Sequence, residues 1–204
     1  MELIVIDNYL DEDFLKEISE DQKFWSQEPL YDWWDGWWSS PIETNRHKLI
    51  KKIWGNVSSD ITLYGGPIAG FEHWVGVTTP SGDMKEVYGQ KWSLPPHTDK
   101  DEHYWQNHPQ GKGRGNHPDS FRHPMYGTVF YVEEPEEGGY LTYWSDGQHW
   151  EDIDGNTPYE SIKPKRNRLI LFDASKSHAV TAVTKGIRKA VAINVWPSKP
   201  EQFK

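Results

Sequence analysis

The chain has 204 residues, and its 22 Lys and Arg against 31 Asp and Glu give a formal net charge of −9. It contains no cysteine, which excludes a disulfide framework, a thiolate metal site and a cysteine nucleophile. No apolar run approaches the ~20 residues of a membrane-spanning helix, and the acidic balance disfavours a nucleic-acid partner.

The first residues predict a short strand and then a helix. Residues 2–6 are mostly apolar, and Asp11 is a suitable N-cap for a helix that begins directly after it. Phe14, Leu15 and Ile18 share one apolar face of this helix. The start of the chain has no basic region and soon becomes acidic, so it does not resemble a signal peptide, and we expect a cytoplasmic protein.

A second helix is predicted to begin at Ser40. Ser40 and Glu43 have the spacing of a capping box, and Pro41 would occupy the first helical position. The segment before this helix is rich in tryptophan, and these side chains either cover a sheet or line a substrate groove. They are Trp33, Trp34, Trp37 and Trp38.

After Gly66 the pattern changes to short strands separated by turn residues. The candidate strands are 71–79, 86–94, 126–134, 139–144, 168–174, 178–183 and 188–196. Strands this short and frequent indicate a sandwich, jelly roll or barrel rather than alternating βα units. We expect a single domain, 1–204, with a helical, Trp-rich support (1–65) and a jelly-roll core (66–200).

Residues 100–124 are rich in His, Gly, Asn and Pro and show no strand periodicity. They predict a long surface loop, and such a loop in a compact domain is usually functional or disordered. Its four histidines could hold an additional metal ion, but a polar lid is the preferred interpretation. These histidines are His103, His108, His117 and His123.

Two separated features predict a metal site. His97 and Asp99 are two residues apart, so on an extended chain their side chains point the same way. His178, at the start of a distant strand, could supply a third ligand. Two histidines and one carboxylate that leave coordination positions open are typical of non-haem Fe(II) oxygenases.

A second pair with the same spacing, His117 and Asp119, competes for this role. It lies within the 100–124 loop, whereas His97 follows a strand-like segment that can hold a ligand rigidly. We therefore favour His97 and Asp99.

The last predicted strand carries a cation beside small residues. Arg188, Ala190, Ala192 and Asn194 fall on one face of this strand. Small side chains next to a guanidinium leave space for an anion. A dicarboxylate suits such a space, because one end can bind a metal while the other pairs bidentately with the guanidinium.

These motifs resemble the Fe(II)/2-oxoglutarate dioxygenases, in particular the prolyl-4-hydroxylase-like branch. The resemblance covers about residues 84–196 and includes the strand leading into His97, the Gly-Gly-Tyr-Leu segment at 138–141 and the C-terminal strands, in the family's order. It implies a mainly β fold, a double-stranded β-helix (jelly roll) with the N-terminal helices packed outside the sheet.

The same resemblance implies the roles of individual residues. His97, Asp99 and His178 would bind Fe(II), and Arg188 would bind the C5 carboxylate of 2-oxoglutarate. Tyr131 falls where the family often places a tyrosine on that carboxylate, Leu141 falls where an apolar residue packs against it, and Tyr88 falls near the pocket. Ala190 departs from the many relatives that have a hydroxyl residue there. The presence of Asp99 implies hydroxylation rather than halogenation.

The implied activity is hydroxylation with Fe(II), 2-oxoglutarate and O₂, with release of succinate and CO₂. The implied substrate is a peptidyl residue, with proline as the first candidate, or a free amino acid, and we expect neither a nucleic-acid nor a membrane partner. Two other classes stay open. A non-catalytic, cupin-like metal-binding β-barrel would not need Arg188 beside a cavity, and a carbohydrate-binding jelly roll would bind sugar through exposed tryptophans without a metal.

Overall fold

The computed structural model describes residues 3–55, 67–107, 122–145, 153 and 156–204. Within these ranges the helices are α1 (Glu12–Glu20), α2 (Asn45–Trp54) and α3 (Glu102–Asn107), and a short 3₁₀ turn (Glu201–Phe203) lies near the C-terminus. The strands are β1 (Ile4–Asp7), β2 (Asp32–Trp34), β3 (Gly70–Thr78), β4 (Lys85–Val87), β5 (Gln90–His97), β6 (Tyr126–Glu133), β7 (Glu137–Gly138), β8 (Leu141–Tyr143), β9 (Glu160–Ile162), β10 (Arg168–Phe172), β11 (His178–Thr181), β12 (Val183–Lys185) and β13 (Arg188–Trp196). None of the helices in the described part of the chain is long and apolar enough to cross a membrane.

Most of these strands form two antiparallel sheets. The larger sheet has the order β1-β10-β6-β13-β3-β2, the smaller has the order β4-β5-β11-β8-β9, and β12 pairs with β7. The two sheets share a core, in which Tyr131 and Phe172 of the larger sheet pack with Leu141 and Tyr143 of the smaller one. The predicted mainly β, double-stranded β-helix (jelly roll) is confirmed.

The helices α1 and α2 cover the outer face of the larger sheet. Leu15 of α1 and Leu49 of α2 are fully buried in a cluster with Phe71 of β3 and Phe130 of β6. The predicted packing of the N-terminal helices outside the sheet is therefore confirmed.

The Trp-rich segment contributes to the same outer layer. Trp34 is buried in it, and Trp37 and Trp38 pack against it. Trp33 points elsewhere, because its ring lies 5.7 Å from that of Phe203 in the 3₁₀ turn. Trp34, Trp37 and Trp38 therefore cover the sheet, whereas Trp33 packs against the 3₁₀ turn.

The start of the second helix differs from the prediction. The helix α2 begins at Asn45, and the Thr44 hydroxyl accepts a hydrogen bond from the His47 backbone N–H (3.1 Å) as its N-cap. Ser40 lies before the helix, and its N–H, which a capping box would pair with Glu43, donates instead to the Gly36 carbonyl (2.9 Å) and closes a turn. The first helix was predicted correctly, since the Asp11 carboxylate accepts from the Phe14 N–H at 2.9 Å.

Three other segments refine the prediction. The segment 86–94 is a hairpin of β4 and β5, with Tyr88 (φ 55°) and Gly89 (φ 74°) in the left-handed conformation that a tight turn needs. The segment 178–183 is divided between β11 and β12. The predicted loop contains α3, and 108–121, including His117 and Asp119, lies outside the described residues. The division into 1–65 and 66–200 stays a prediction.

His73 is an unusual member of the outer core. It is 1% exposed, and among the described residues neither ring nitrogen has a hydrogen-bond partner. Burial lowers its pKa to about 4, with Asp32 opposing this effect and Arg46 and His47 adding to it. Because the unfolded chain binds this proton near pH ~6.5, the free energy of unfolding falls as the pH drops from there towards 4.

We expect His73→Phe to remove this part of the acid sensitivity. Between pH ~7.5 and ~4.5, the free energy of unfolding should fall by roughly 2 kcal/mol more in the parent than in the variant. A pKa difference of one between the folded and unfolded chain is worth about 1.4 kcal/mol. Urea denaturation at the two pH values measures this difference. The variant His103→Gln, at an exposed position, is the control for the loss of a histidine. Equal pH dependence in His73→Phe and the parent would contradict the argument.

Candidate active site

The pairing of two strands brings the predicted metal ligands together. The strand β5 ends at His97, after Pro95 and Pro96 have kept the chain extended. Its antiparallel neighbour β11 begins at His178, and the register places His178 directly opposite His97. Asp99 follows β5, where its N–H donates to the Ala174 carbonyl (3.2 Å). The two imidazoles and the carboxylate therefore converge at one end of the smaller sheet.

The ligand atoms of His97, Asp99 and His178 all lie within 4.8 Å of one another. The Nε2 atoms of His97 and His178 are 3.7 Å and 3.6 Å from the two carboxylate oxygens of Asp99. This spacing surrounds one point that a single cation could occupy. In the described part of the chain, it is the one group of His, Cys, Asp or Glu side chains with such a spacing.

Backbone carbonyls orient both histidines. Nδ1 of His97 lies 2.8 Å from the Pro95 carbonyl oxygen, and Nδ1 of His178 lies 2.9 Å from that of Lys176. A carbonyl only accepts, so Nδ1 carries the proton and Nε2 presents its lone pair to the shared point. Desolvation lowers the pKa of His97, and the neighbouring His178 adds to this shift while Asp99 opposes it. A neutral imidazole is the form that binds metals.

His123 is not one of the predicted ligands, but its ring contacts the backbone of Asp99. Its Nδ1 lies 2.6 Å from the backbone carbonyl oxygen of Asp99. Sequence analysis grouped His123 with the lid histidines and missed this contact. Only its position just before β6 could have indicated a fixed place in the fold.

An inner cavity of about 200 Å³ lies between the two sheets, next to the ligands. All four residues of the predicted β13 face line it, and they are Arg188, Ala190, Ala192 and Asn194. On the neighbouring strand β3, Gly76 lies opposite Ala190 and also lines the cavity. Leu141, Val129 and Phe172 supply apolar walls. The small residues of both strands therefore create the space beside Arg188.

Arg188 is a buried cation at this cavity. It is 6% exposed, its Nε has no hydrogen-bond partner, and no carboxylate forms an ion pair with it within the described residues. Gly139, at φ 71°, makes room for its stem, since a Cβ there would lie 3.0 Å from Arg188 Cδ. A buried charge without a counterion is costly, so the site suits an anionic ligand.

Tyr131 and Leu141 lie beside this cation. The ring centroid of Tyr131 is 5.0 Å from the Arg188 guanidinium carbon, and its buried hydroxyl has no partner among the described residues. Leu141 is 1% exposed and lines the inner cavity. Tyr88 is not brought to this place. It is 54% exposed in the β4–β5 turn and lines an outer cleft instead.

The outer cleft has a volume of about 510 Å³ and shares His97 and Asp99 with the inner cavity. Two of its lining residues, Glu72 and Trp74, were missed by sequence analysis, which treated β3 only as a strand. Burial raises the pKa of Glu72 to about 7, with the charge of Asp99 contributing. The available signal was the alternation of β3, which places Glu72, Trp74 and Gly76 on one face.

Comparison with known proteins identifies a family model that matches this chain. The model of the 2OG-Fe(II) oxygenase superfamily matches residues 85–196, which is more than half of the chain. Comparison with the curated proteins gave no significant match.

Solved structures share the fold at low sequence identity. A Pseudomonas putida prolyl-4-hydroxylase aligns with a TM-score of 0.59 and 13% identity, covering 96% of this chain and 88% of that one. A Trichoplax adhaerens prolyl hydroxylase, in complex with a peptide fragment of the hypoxia inducible factor oxygen degradation domain, aligns at 0.59 and 15%, covering 99% and 86%. The 2OG complex of the viral collagen prolyl hydroxylase from Paramecium Bursaria Chlorella virus-1 aligns at 0.52 and 15%, covering 98% and 97%.

Proposed function

This chain belongs to the 2OG-Fe(II) oxygenase superfamily, and from that premise we propose which residues hold its cofactors and what class of substrate it hydroxylates. The protein is a 2-oxoglutarate-dependent dioxygenase that uses Fe(II), 2-oxoglutarate and O₂. Membership of this family favours an enzyme over the non-catalytic cupin-like barrel.

The proposed Fe(II) ligands are His97, Asp99 and His178. Two neutral imidazoles and one carboxylate form the donor set of non-haem Fe(II) oxygenases, and they leave positions open for other ligands. Bound Fe(II) would supply O₂ activation coupled to oxidation of 2-oxoglutarate. The chain contributes the hydrogen bonds from Nδ1 to the carbonyls of Pro95 and Lys176, which fix both imidazoles before the metal binds.

Arg188 is the proposed anchor of 2-oxoglutarate. The observation that carries this assignment is a buried guanidinium without a counterion among the described residues, at the same small cavity as the ligand triad. The distal carboxylate would pair bidentately with Arg188 and accept a hydrogen bond from the Tyr131 hydroxyl. The unpartnered buried hydroxyl of Tyr131 supports this second contact. Tyr88 stays a prediction without a contact to this cavity.

The chain also shapes the surroundings of the reaction. Leu141 and Val129 form apolar walls of the inner cavity, and the ring of Phe172 lies 4.9 Å from that of His178. These side chains give the space between Arg188 and the proposed metal ligands apolar walls. Apolar surroundings strengthen an ion pair between Arg188 and a bound carboxylate.

The proposed substrate is a peptidyl residue, with proline as the first candidate, or a free amino acid, and the proposed products include succinate and CO₂. The outer cleft supports this choice, because it is wide and reaches His97 and Asp99 directly. The peptide complex of the Trichoplax adhaerens prolyl hydroxylase, which shares the fold, supports a peptide. The cytoplasmic location stays a prediction.

Turnover of 2-oxoglutarate tests this function. We expect the protein with Fe(II) to form succinate, with faster formation when a prolyl peptide or an amino acid from a panel is added. Mass spectrometry should find the accepted substrate heavier by one oxygen atom. Removing Fe(II) with a chelator should abolish succinate formation, and adding Fe(II) back should restore it. A protein that binds both cofactors but forms no succinate with any panel member would contradict the proposal.

A further inference from the structure

The paired strands β3 and β13 carry a basic residue, Arg188, at one end of their ladder and an acidic residue, Glu72, near the other. The register pairs Thr78 with Arg188 at one end and Glu72 with Asn194 at the other. Six residues of a strand span about 20 Å, so the two charges lie far apart. Arg188 faces the inner cavity, and Glu72 faces the outer cleft. The two residues therefore offer different chemistry in two spaces that share His97 and Asp99.

Glu72 is a buried carboxylate that only neutral groups satisfy among the described residues. It is 6% exposed and accepts hydrogen bonds from Trp196 Nε1 (3.0 Å), Asn194 Nδ2 (3.4 Å) and Gln202 Nε2 (2.7 Å). No Lys or Arg forms an ion pair with it in the part of the chain that the structure describes. A carboxylate has about four acceptor positions, so one remains for a ligand in the cleft.

Aromatic side chains stand near this carboxylate in the same cleft. Tyr31 and Trp74 both line it, with ring centroids 5.3 Å apart in an edge-to-face arrangement. Aromatic faces attract cations and also pack against aliphatic stems. The described lining of the cleft contains one lysine, Lys100, whose ammonium lies 3.5 Å from Glu102 and 4.3 Å from the ring of Trp105. Its charge is directed to those two side chains.

We propose that the outer cleft binds its substrate through a cationic group, an ammonium or a guanidinium, that contacts Glu72 while its aliphatic stem packs on Tyr31 and Trp74. This inference rests on the proposed function and specifies its substrate further, as a peptide or free amino acid that carries a basic group near the carbon to be hydroxylated. The cation would hold the substrate across the cleft, with the carbon to be hydroxylated beside His97 and Asp99. The net charge of −9 favours the approach of such a substrate.

Two matched probe pairs test this proposal by binding alone. Protein loaded with Fe(II) and 2-oxoglutarate without O₂ is titrated calorimetrically with Nα-acetyl-arginine amide and with Nα-acetyl-citrulline amide, which has nearly the same shape but no charge. Nα-acetyl-lysine amide and Nα-acetyl-norleucine amide form the second pair. We expect the charged member of at least one pair to bind about tenfold more tightly, a difference of about 1.4 kcal/mol, because a charge-assisted hydrogen bond is stronger than a neutral one.

Variants locate the origin of this preference. Glu72→Gln keeps the shape and should reduce the preference to about twofold or less. Glu86→Gln, an exposed carboxylate of β4 outside the cleft, is the matched control and should retain it. Gln202→Lys is a second variant that leaves Glu72 itself unchanged, so it tests the proposal even if Glu72→Gln does not fold. Gln202 is exposed, and its side chain donates a hydrogen bond to the Glu72 carboxylate. A lysine there would occupy Glu72 and should also remove the preference.

The outcomes separate this inference from the function on which it rests. Equal binding of charged and uncharged probes by the parent overturns the inference, as does a preference that survives both Glu72→Gln and Gln202→Lys. Binding of 2-oxoglutarate is measured first on the same samples. Failure at that step contradicts the proposed function, whereas normal 2-oxoglutarate binding without a preference for cations contradicts only the substrate class.

Discussion

Replacing Arg188 by methionine should weaken 2-oxoglutarate binding by a factor of about one hundred or more, while Fe(II) binding is retained. Arg188 is the buried cation of the inner cavity. Removing one partner of a buried ion pair costs roughly 3–5 kcal/mol, because the other charge stays buried without a counterion. The free energy of unfolding of the ligand-free protein should be unchanged or higher, because Arg188 forms no ion pair within the described residues. Anaerobic titration of the Fe(II)-loaded protein, followed by its visible absorption, measures the affinity.

Two other arginine variants make this result specific. Arg188→Lys keeps a charge but loses the planar fork, so we expect an affinity between those of the parent and Arg188→Met. Arg166→Gln removes an arginine that pairs with Glu12 on the surface and should bind 2-oxoglutarate like the parent. Parent-like affinity in Arg188→Met would remove the basis of the cosubstrate assignment.

Asp99→Ala should bind Fe(II) about one hundredfold more weakly than the parent, whereas Asp119→Ala should bind it like the parent. Asp99 is the carboxylate among the three proposed ligands, and its oxygens lie 3.6–3.7 Å from Nε2 of the two histidines. Changing a residue that only hydrogen-bonds to a metal ligand weakens metal binding by up to about one hundredfold. Removing one of the three proposed ligands should cost at least as much. Fe(II) affinity is measured by competition with a coloured chelator under anaerobic conditions.

The two aspartates form a matched pair, because both follow a histidine at the same spacing in the sequence. His178→Ala should reproduce the loss seen in Asp99→Ala, since it removes another member of the triad. Circular dichroism of each variant verifies that the fold is retained. Loss of Fe(II) in Asp119→Ala alone would transfer the site to the second motif.

Local sequence patterns predicted some elements well and others poorly, for identifiable reasons. The strand β13 was predicted with its observed bounds, because Arg188–Trp196 is a short, mostly apolar run with three β-branched residues, and Gly186 and Pro197 mark its two ends. The predicted start of α2 was wrong. Ser40 matches a capping pattern, but its N–H closes a turn with the Gly36 carbonyl instead. Local capping signals are weak where the chain offers a second use for the same N–H group.

The candidate site divides in the same way. The spacing of His97 and Asp99 indicates a shared direction, but only the pairing of β5 with β11 places His178 opposite them. Pairing between distant strands is not contained in any short window of sequence. Alternation in β3 likewise separates two faces without saying which one borders a cavity, so Glu72 and Trp74 were not recognised. The family resemblance implied a position near the pocket for Tyr88, whereas the hairpin turn leaves its side chain exposed.

The register that places His97 opposite His178 also allows a bound metal ion to stabilise the fold. An ion held by both residues closes a long loop, because it joins two segments that are far apart along the chain. An ion that binds the native chain more tightly than the unfolded chain shifts the folding equilibrium towards the native state. Resistance to unfolding and to proteolysis would then follow the supply of the ion. A cell short of iron would hold less of this protein as well as less of its activity.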